Sequence, residues 1–119
     1  MNFYEFLKKS IDEVNKRSKK DNIMCNTLKK YSGKRVVFNI IGKTTYAVTI
    51  SSKGLSLATP VVSNQEDLYV EMENRIAEQL VNHELNPLEI TSMVLVGKIK
   101  LRNIGTSEIE LVKKVSRGF

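Results

Sequence analysis

Three short stretches carry residue types that could do chemistry. Gly42-Lys43-Thr44 has the order of the last residues of a phosphate-binding loop, where backbone N–H groups and a lysine hold the phosphates. Such a loop needs an earlier glycine and must open a helix. Position 37 is Val37, and the flanking runs RVVFNII and TTYAVTI are β-rich, so the stretch reads as a hairpin turn on Gly42-Lys43. His83-Glu84 begins like a zinc-protease HExxH helix, but Pro87 occupies the place of the second histidine and the chain has only one. It reads as a polar helix end. Cys25 has His83 as its one candidate base and no orienting motif, so a small buried thiol is expected. A single cysteine also excludes an internal disulfide and a Cys/His zinc cluster. The pairs Glu71/Glu73 and Glu108/Glu110 fall on exposed positions, whereas general acid–base work needs a carboxyl with a shifted pKa in a cleft. The expectation is no catalytic residue, no metal ligand and no cofactor, hence not an enzyme.

The elements that would position these residues follow from hydrophobic period. Phe3, Phe6, Leu7, Ile11 and Val14 make one stripe of an amphipathic helix over residues 2–18, with Asn2 as its cap. Asp21 or Asn22 caps a second, shorter helix through Ile23, Leu28 and Tyr31, which Ser32-Gly33 ends. From Arg35 the period becomes two. RVVFNII, TTYAVTI, LSLAT and DLYVEM are four strands, with Leu68, Val70 and Met72 on one face of the last. ENRIAEQLVNHE turns Ile76 and Leu80 inward as a helix, joined by Ala77 and Val81. Asn86-Pro87-Leu88-Glu89 opens a short helical turn. MVLVGKIKLR is then expected as a fifth strand, with Leu95, Gly97, Ile99 and Leu101 on one face and Lys98, Lys100 and Arg102 on the other. Residues 106–115 read as a last helix. The order gives an α+β fold, a twisted five-stranded sheet with helices packed on one face, as a single domain over residues 1–119.

Charge narrows the partners without choosing one. Residues 1–35 hold ten Lys and Arg against four acids, residues 36–92 three against seven, and residues 93–119 six against two. Two basic ends suit an anionic partner, either a phosphate-bearing ligand, a membrane surface or nucleic acid, and equally suit plain solvated faces. The nucleic-acid modules with recognisable signatures are absent, and of the four tyrosines only Tyr69 is expected on a polar strand face. Nucleic acid is therefore the less favoured partner. No apolar run approaches the length of a membrane span, and the charged N-terminus lacks a signal peptide's apolar stretch, so a soluble cytoplasmic protein is expected.

Leu85-Asn86-Pro87, followed by Gly97-Lys98-Ile99-Lys100-Leu101, resembles the sterol carrier protein-2 family, whose members show a helix, an Asn-Pro-type turn and a G-K-[LI]-K-[LI] strand. DLYVEMENRIAEQLVNHE is similar to that family's strand and short helix, and the likeness covers about residues 66–115. The resemblance implies a five-stranded sheet and an apolar tunnel between the two layers. Relatives hold fatty acids, fatty acyl-CoA or sterols there without chemistry; others are appended to enzymes or assist lipid biosynthesis. On that resemblance the tunnel-lining residues would be Phe3 and Phe6 of the first helix and Phe38, Ile40, Tyr46 and Val48 of the first hairpin. Ile76 and Leu80, then Leu95, Gly97, Ile99 and Leu101, and finally Ile109 and Val112 would complete the lining. Gly97 would let a helix or ligand approach its strand closely. The partner implied is a lipid or fatty acyl ligand, with weak contact to anionic membrane left open for the lysine face. The alternatives are a small basic nucleic-acid module or a structural subunit that binds nothing.

Overall fold

The computed structural model describes residues 1–105 and 108. Helix α1 runs Phe3–Ser18, with the Asn2 side chain accepting from the Glu5 N–H at 2.8 Å. Helix α2 runs Asn22–Lys30, capped by Asp21, which accepts from the Ile23 N–H at 2.9 Å. Then come β1 (Arg35–Ile41), β2 (Thr45–Ser51), β3 (Gly54–Ala58) and β4 (Leu68–Glu73). Helices α3 (Asn74–Val81) and α4 (Pro87–Leu95) precede β5 (Ile99–Arg102). The five strands form one mixed sheet in the order β3-β2-β1-β4-β5, parallel between β1 and β4 and antiparallel elsewhere.

Alternation sorts each strand into two faces. Val36, Phe38 and Ile40, Val48 and Ile50, and Leu68, Val70 and Met72 point to the helices and are buried against the α1 stripe, Met24 and Leu28 of α2, and Ile76 of α3. Burying a side chain of this size stabilises by about 1.5–3 kcal/mol, so this interlayer core dominates the fold. The β3–β4 link crosses the opposite face. Thr45 Oγ1 both donates to the Val61 carbonyl and accepts from its N–H at 3.0 Å, and Arg35 donates to the Val62 carbonyl at 2.9 Å. That crossing accounts for the burial of Val37 and Ala47 on the outer face. Arg35 also forks onto Asp67, with bonds of 3.0 and 2.7 Å, and fixes the end of the link.

Two expectations are corrected. The first hairpin turn has three residues between the strands, Gly42 to Thr44, instead of two, because β1 ends at Ile41 and β2 starts at Thr45. Lys43 N–H closes the turn on the Ile40 carbonyl, with Gly42 at φ +86. The larger correction is that MVLVGKIKLR is not one strand. Met93, Val94 and Leu95 end α4, and only Ile99–Arg102 pair in the sheet. A full capping box nucleates that helix: Asn86 accepts from the Glu89 N–H at 2.8 Å, and Glu89 accepts from the Asn86 N–H at 3.2 Å. Gly97 stops it in a left-handed turn at φ +82, with its N–H on the Val94 carbonyl and the Lys98 N–H on Met93. The expected last helix lies outside the described residues.

Candidate functional site

The helix layer thins out toward β5. Helix α3 still buries Ile76, Ala77 and Val81, but α4 buries none of its residues. Its Ile90, Met93 and Val94 rest half-buried on the core rim with Leu80, Leu85, Leu101 and Ile104. On its other sides Leu88, Leu95 and Val96 are 76%, 81% and 70% exposed. A shallow depression of about 350 Å³ lies along α4 between Leu88, Ser92, Met93 and Val96, with Glu89 and Lys98 at its edge. The outer side of α4 thus mixes Glu89, Thr91 and Ser92 with exposed Leu88 and Leu95, where surface helices usually keep a polar outer face. Exposed apolar residues beside a half-buried apolar rim make this end the candidate site.

The residues expected to line a tunnel divide into two groups. Phe3, Phe6, Phe38, Ile40, Val48, Ile76 and Ile99 are buried in the interlayer core. Phe3 touches Phe38 and Tyr46 with ring centroids 5.6 and 5.5 Å apart, so the layers are in direct contact there. Tyr46, Leu80 and Leu101 are half-buried at its rim. Leu95 is a solvent-facing helix residue, not a strand residue. Gly97 faces open space: a Cβ added there would meet nothing within 4 Å, so its close-approach role is withdrawn in favour of helix termination. Ile109 and Val112 lie outside the described residues. Sequence reasoning missed Leu85, Ile90, Met93 and Val94, because Met93 to Leu95 were read as the start of a strand and the helical turn after Pro87 was expected to be short. Its start signal at Asn86-Pro87 and a glycine ten residues after Pro87 bracketed it nonetheless.

The polar face of β4 and β5 is occupied by its own residues. Lys100 lies 3.7 Å from Glu71, and Arg102 stacks 4.5 Å from the Tyr69 ring centroid while donating to Ser63 and to the Asn64 carbonyl. Tyr69 donates to Glu71 at 2.7 Å and accepts from Asn39 at 2.8 Å. Burial pushes the Tyr69 phenol above its ordinary pKa, so it stays a neutral donor. The Arg35 fork holds the Asp67 carboxyl below the usual carboxylate range. Among the described residues no group of three or more His, Cys, Asp or Glu could hold a metal ion, and no helix is long and apolar enough to cross a membrane.

No family model matches the sequence, and no curated protein matches it. Solved structures do match in fold. The ubiquinone synthesis protein UbiJ-SCP2 superposes with a TM-score of 0.60 at 12% identity, over 94% of this chain and 91% of that one. A conserved hypothetical protein of Thermus thermophilus, described as a candidate sterol carrier protein, gives 0.51 at 10% identity over 96% and 81%. A stereoselective inverting sec-alkylsulfatase from Pseudomonas gives 0.52 at 16% identity, over 76% of this chain but 14% of that enzyme. Both the ubiquinone synthesis protein and the candidate sterol carrier protein are matched over most of their length, and in fold the chain is a sterol carrier protein-2-like domain.

Proposed function

We propose that the domain is a non-catalytic lipid carrier that holds a fatty acid, fatty acyl-CoA or sterol-like ligand by its apolar part. The observation that carries this reading is the half-buried apolar rim between α3, α4 and β5, on a fold shared with a candidate sterol carrier protein. Leu80, Leu85, Ile90, Met93, Leu101 and Ile104 form the wall on which an alkyl chain would lie. Separating α4 from that rim costs little, since none of its residues is fully buried. Each methylene removed from water contributes about 0.8 kcal/mol. Ten of them supply roughly the 8 kcal/mol of a micromolar complex, with no polar contact required.

The tyrosine and cations that would serve nucleic acid on the sheet are already engaged with each other, which speaks against that alternative. Mass spectrometry of lipid extracted from the protein purified from cells tests the carrier reading directly. A bound acyl or sterol-type species in near-stoichiometric amount supports it. Lipid-free protein that also fails to displace a fluorescent fatty acid would refute it.

A further inference from the structure

We infer that the end of the molecule formed by the α1–α2 junction and the outer side of α2 is a docking surface for an anionic lipid bilayer. From Lys16 to Lys34 the chain carries seven basic residues and one acid. All seven are exposed, and the acid, Asp21, is spent as a cap on the Ile23 and Met24 N–H groups. The outer side of α2 consists of Asn22, Ile23, Asn26, Lys29 and Lys30 and presents no carboxylate. Lys53 is at the same end, because Ile50 bonds both Gly33 and Lys34 and because Asn15 of α1 bonds Leu55 beyond the turn.

Helix dipoles explain part of this charge. Lys16 and Arg17, and Lys29 and Lys30, sit in last turns, where cations are favoured. The same effect reaches Lys19, the α1 C-cap, and Lys20 beside it, but it does not explain Lys34 or Lys53. The acids nearest along α1, Asp12 and Glu13, lie one turn back from the junction. A row of cations against the acid-rich residues 36–92 makes the molecule a dipole that an anionic surface would orient.

Ile23 selects the bilayer among anionic partners. It is 74% exposed in the first turn of α2, between Lys19-Lys20 and Asn26. An exposed aliphatic side chain on a helix side that carries Lys29 and Lys30 and no carboxylate suits the boundary between headgroups and acyl chains. Single-stranded nucleic acid would ask for an accessible ring, but Tyr31 is buried and its ring lies under Lys30 and Lys34 at 5.3 and 5.8 Å. On the sheet, by contrast, Lys100 and Arg102 face Glu71 and Tyr69 and are poor docking cations.

The test uses the full chain without added ligand, so it reads docking separately from lipid carriage. Cosedimentation at low salt compares phosphatidylcholine vesicles with vesicles that also contain phosphatidylglycerol. The parent should pellet with the anionic vesicles only, and added salt should release it. The variant carrying Lys19→Gln, Lys20→Gln, Lys29→Gln and Lys30→Gln should bind at least about tenfold more weakly, since each basic residue near the surface adds to the attraction. The chain has no tryptophan, so Ile23→Trp provides a unique reporter whose emission should shift blue on the anionic vesicles. Equal binding to neutral vesicles, full binding by the glutamine variant, or an unshifted Trp emission in pelleted protein would each overturn the assignment. So would tight binding to a single-stranded oligonucleotide with no vesicle binding in the same buffer.

Discussion

The α1–β1–β2 part of the molecule and its α4–β5 end are both rich in apolar residues, yet they handle them in opposite ways. Around Phe38 every large apolar side chain of α1 but Tyr4 is buried. Along α4 none is, and Leu88 and Leu95, with Val96 at its C-cap, stand largely in water. A core is tolerant of loss nowhere, because its side chains interdigitate without voids. A rim that does not close carries little of the stability and is free to accept something else. The difference separates the part that keeps the domain folded from the part that is available for binding.

The comparison predicts its largest contrast in stability at Phe6. Phe6→Asp would place a carboxylate among Leu7, Phe3 and the strands, at a cost of several kcal/mol, roughly the whole margin of a small domain. Urea unfolding should show a protein unfolded or barely folded in buffer. A midpoint close to the parent's would mean that α1 is not the lid of this core.

Next in size is the clamp at the other end of β4. Asp67 is 5% exposed and bonded twice by Arg35 and once by the Asn64 N–H, at 2.9 Å. Asp67→Asn should cost about 3 kcal/mol, since it leaves a partly buried guanidinium without its counter-charge. The folded carboxyl titrates below its unfolded value of about 3.9. Its contribution is therefore complete above that value and is lost as pH falls through the lower, folded one. Acid titration of stability should show a steeper fall below about pH 4 in the parent than in the variant. Parallel curves would assign the acid sensitivity elsewhere.

The well-packed part was also the part that could be read from the sequence. The stripe from Phe3 to Val14, the alternation of β1 and β2, and Leu68, Val70 and Met72 each repeat at the period of one element, and burial follows that repeat. Pairing was not readable: nothing in RVVFNII marks it as the parallel neighbour of DLYVEM, because that depends on where the 59–67 link crosses. At the thin end VLVGKIKLR alternates like a strand, and the apolar tail of α4 carries no helical period to oppose it. The capping residues at Asn86 and Glu89 decided the matter locally, and Gly97 closed the helix. The site was thus legible as an apolar segment but not as a helix with an unburied side.

Gly97 offers a sharper and smaller test. With φ at +82 and open space around it, substitution is limited by backbone strain and not by volume. Gly97→Ala should cost about 1–2 kcal/mol, and Gly97→Asn less, because asparagine tolerates the left-handed region. If alanine were neutral and leucine severe, the glycine would face a packed neighbour instead, and the strand reading of residues 93–97 would return.

The smallest stability effects should come from α4 itself, where the comparison is decided by function. Leu95→Ser should shift unfolding by no more than about 0.5 kcal/mol, as exposed positions do. Met93→Ala removes a half-buried side chain that rests on the rim, and should cost only about 1 kcal/mol because the site can collapse around the loss. Its effect on a bound alkyl chain should be larger in proportion. Two or three lost carbon-sized contacts at about 0.8 kcal/mol each would weaken fatty-acid displacement by roughly 15- to 60-fold. Leu95→Ser, on the far side of the same helix, should leave that displacement unchanged. If both variants weaken lipid binding equally, the chain touches the outer side of α4 as well as the rim. If neither does, α4 is no wall of the site, and its exposed side serves another partner.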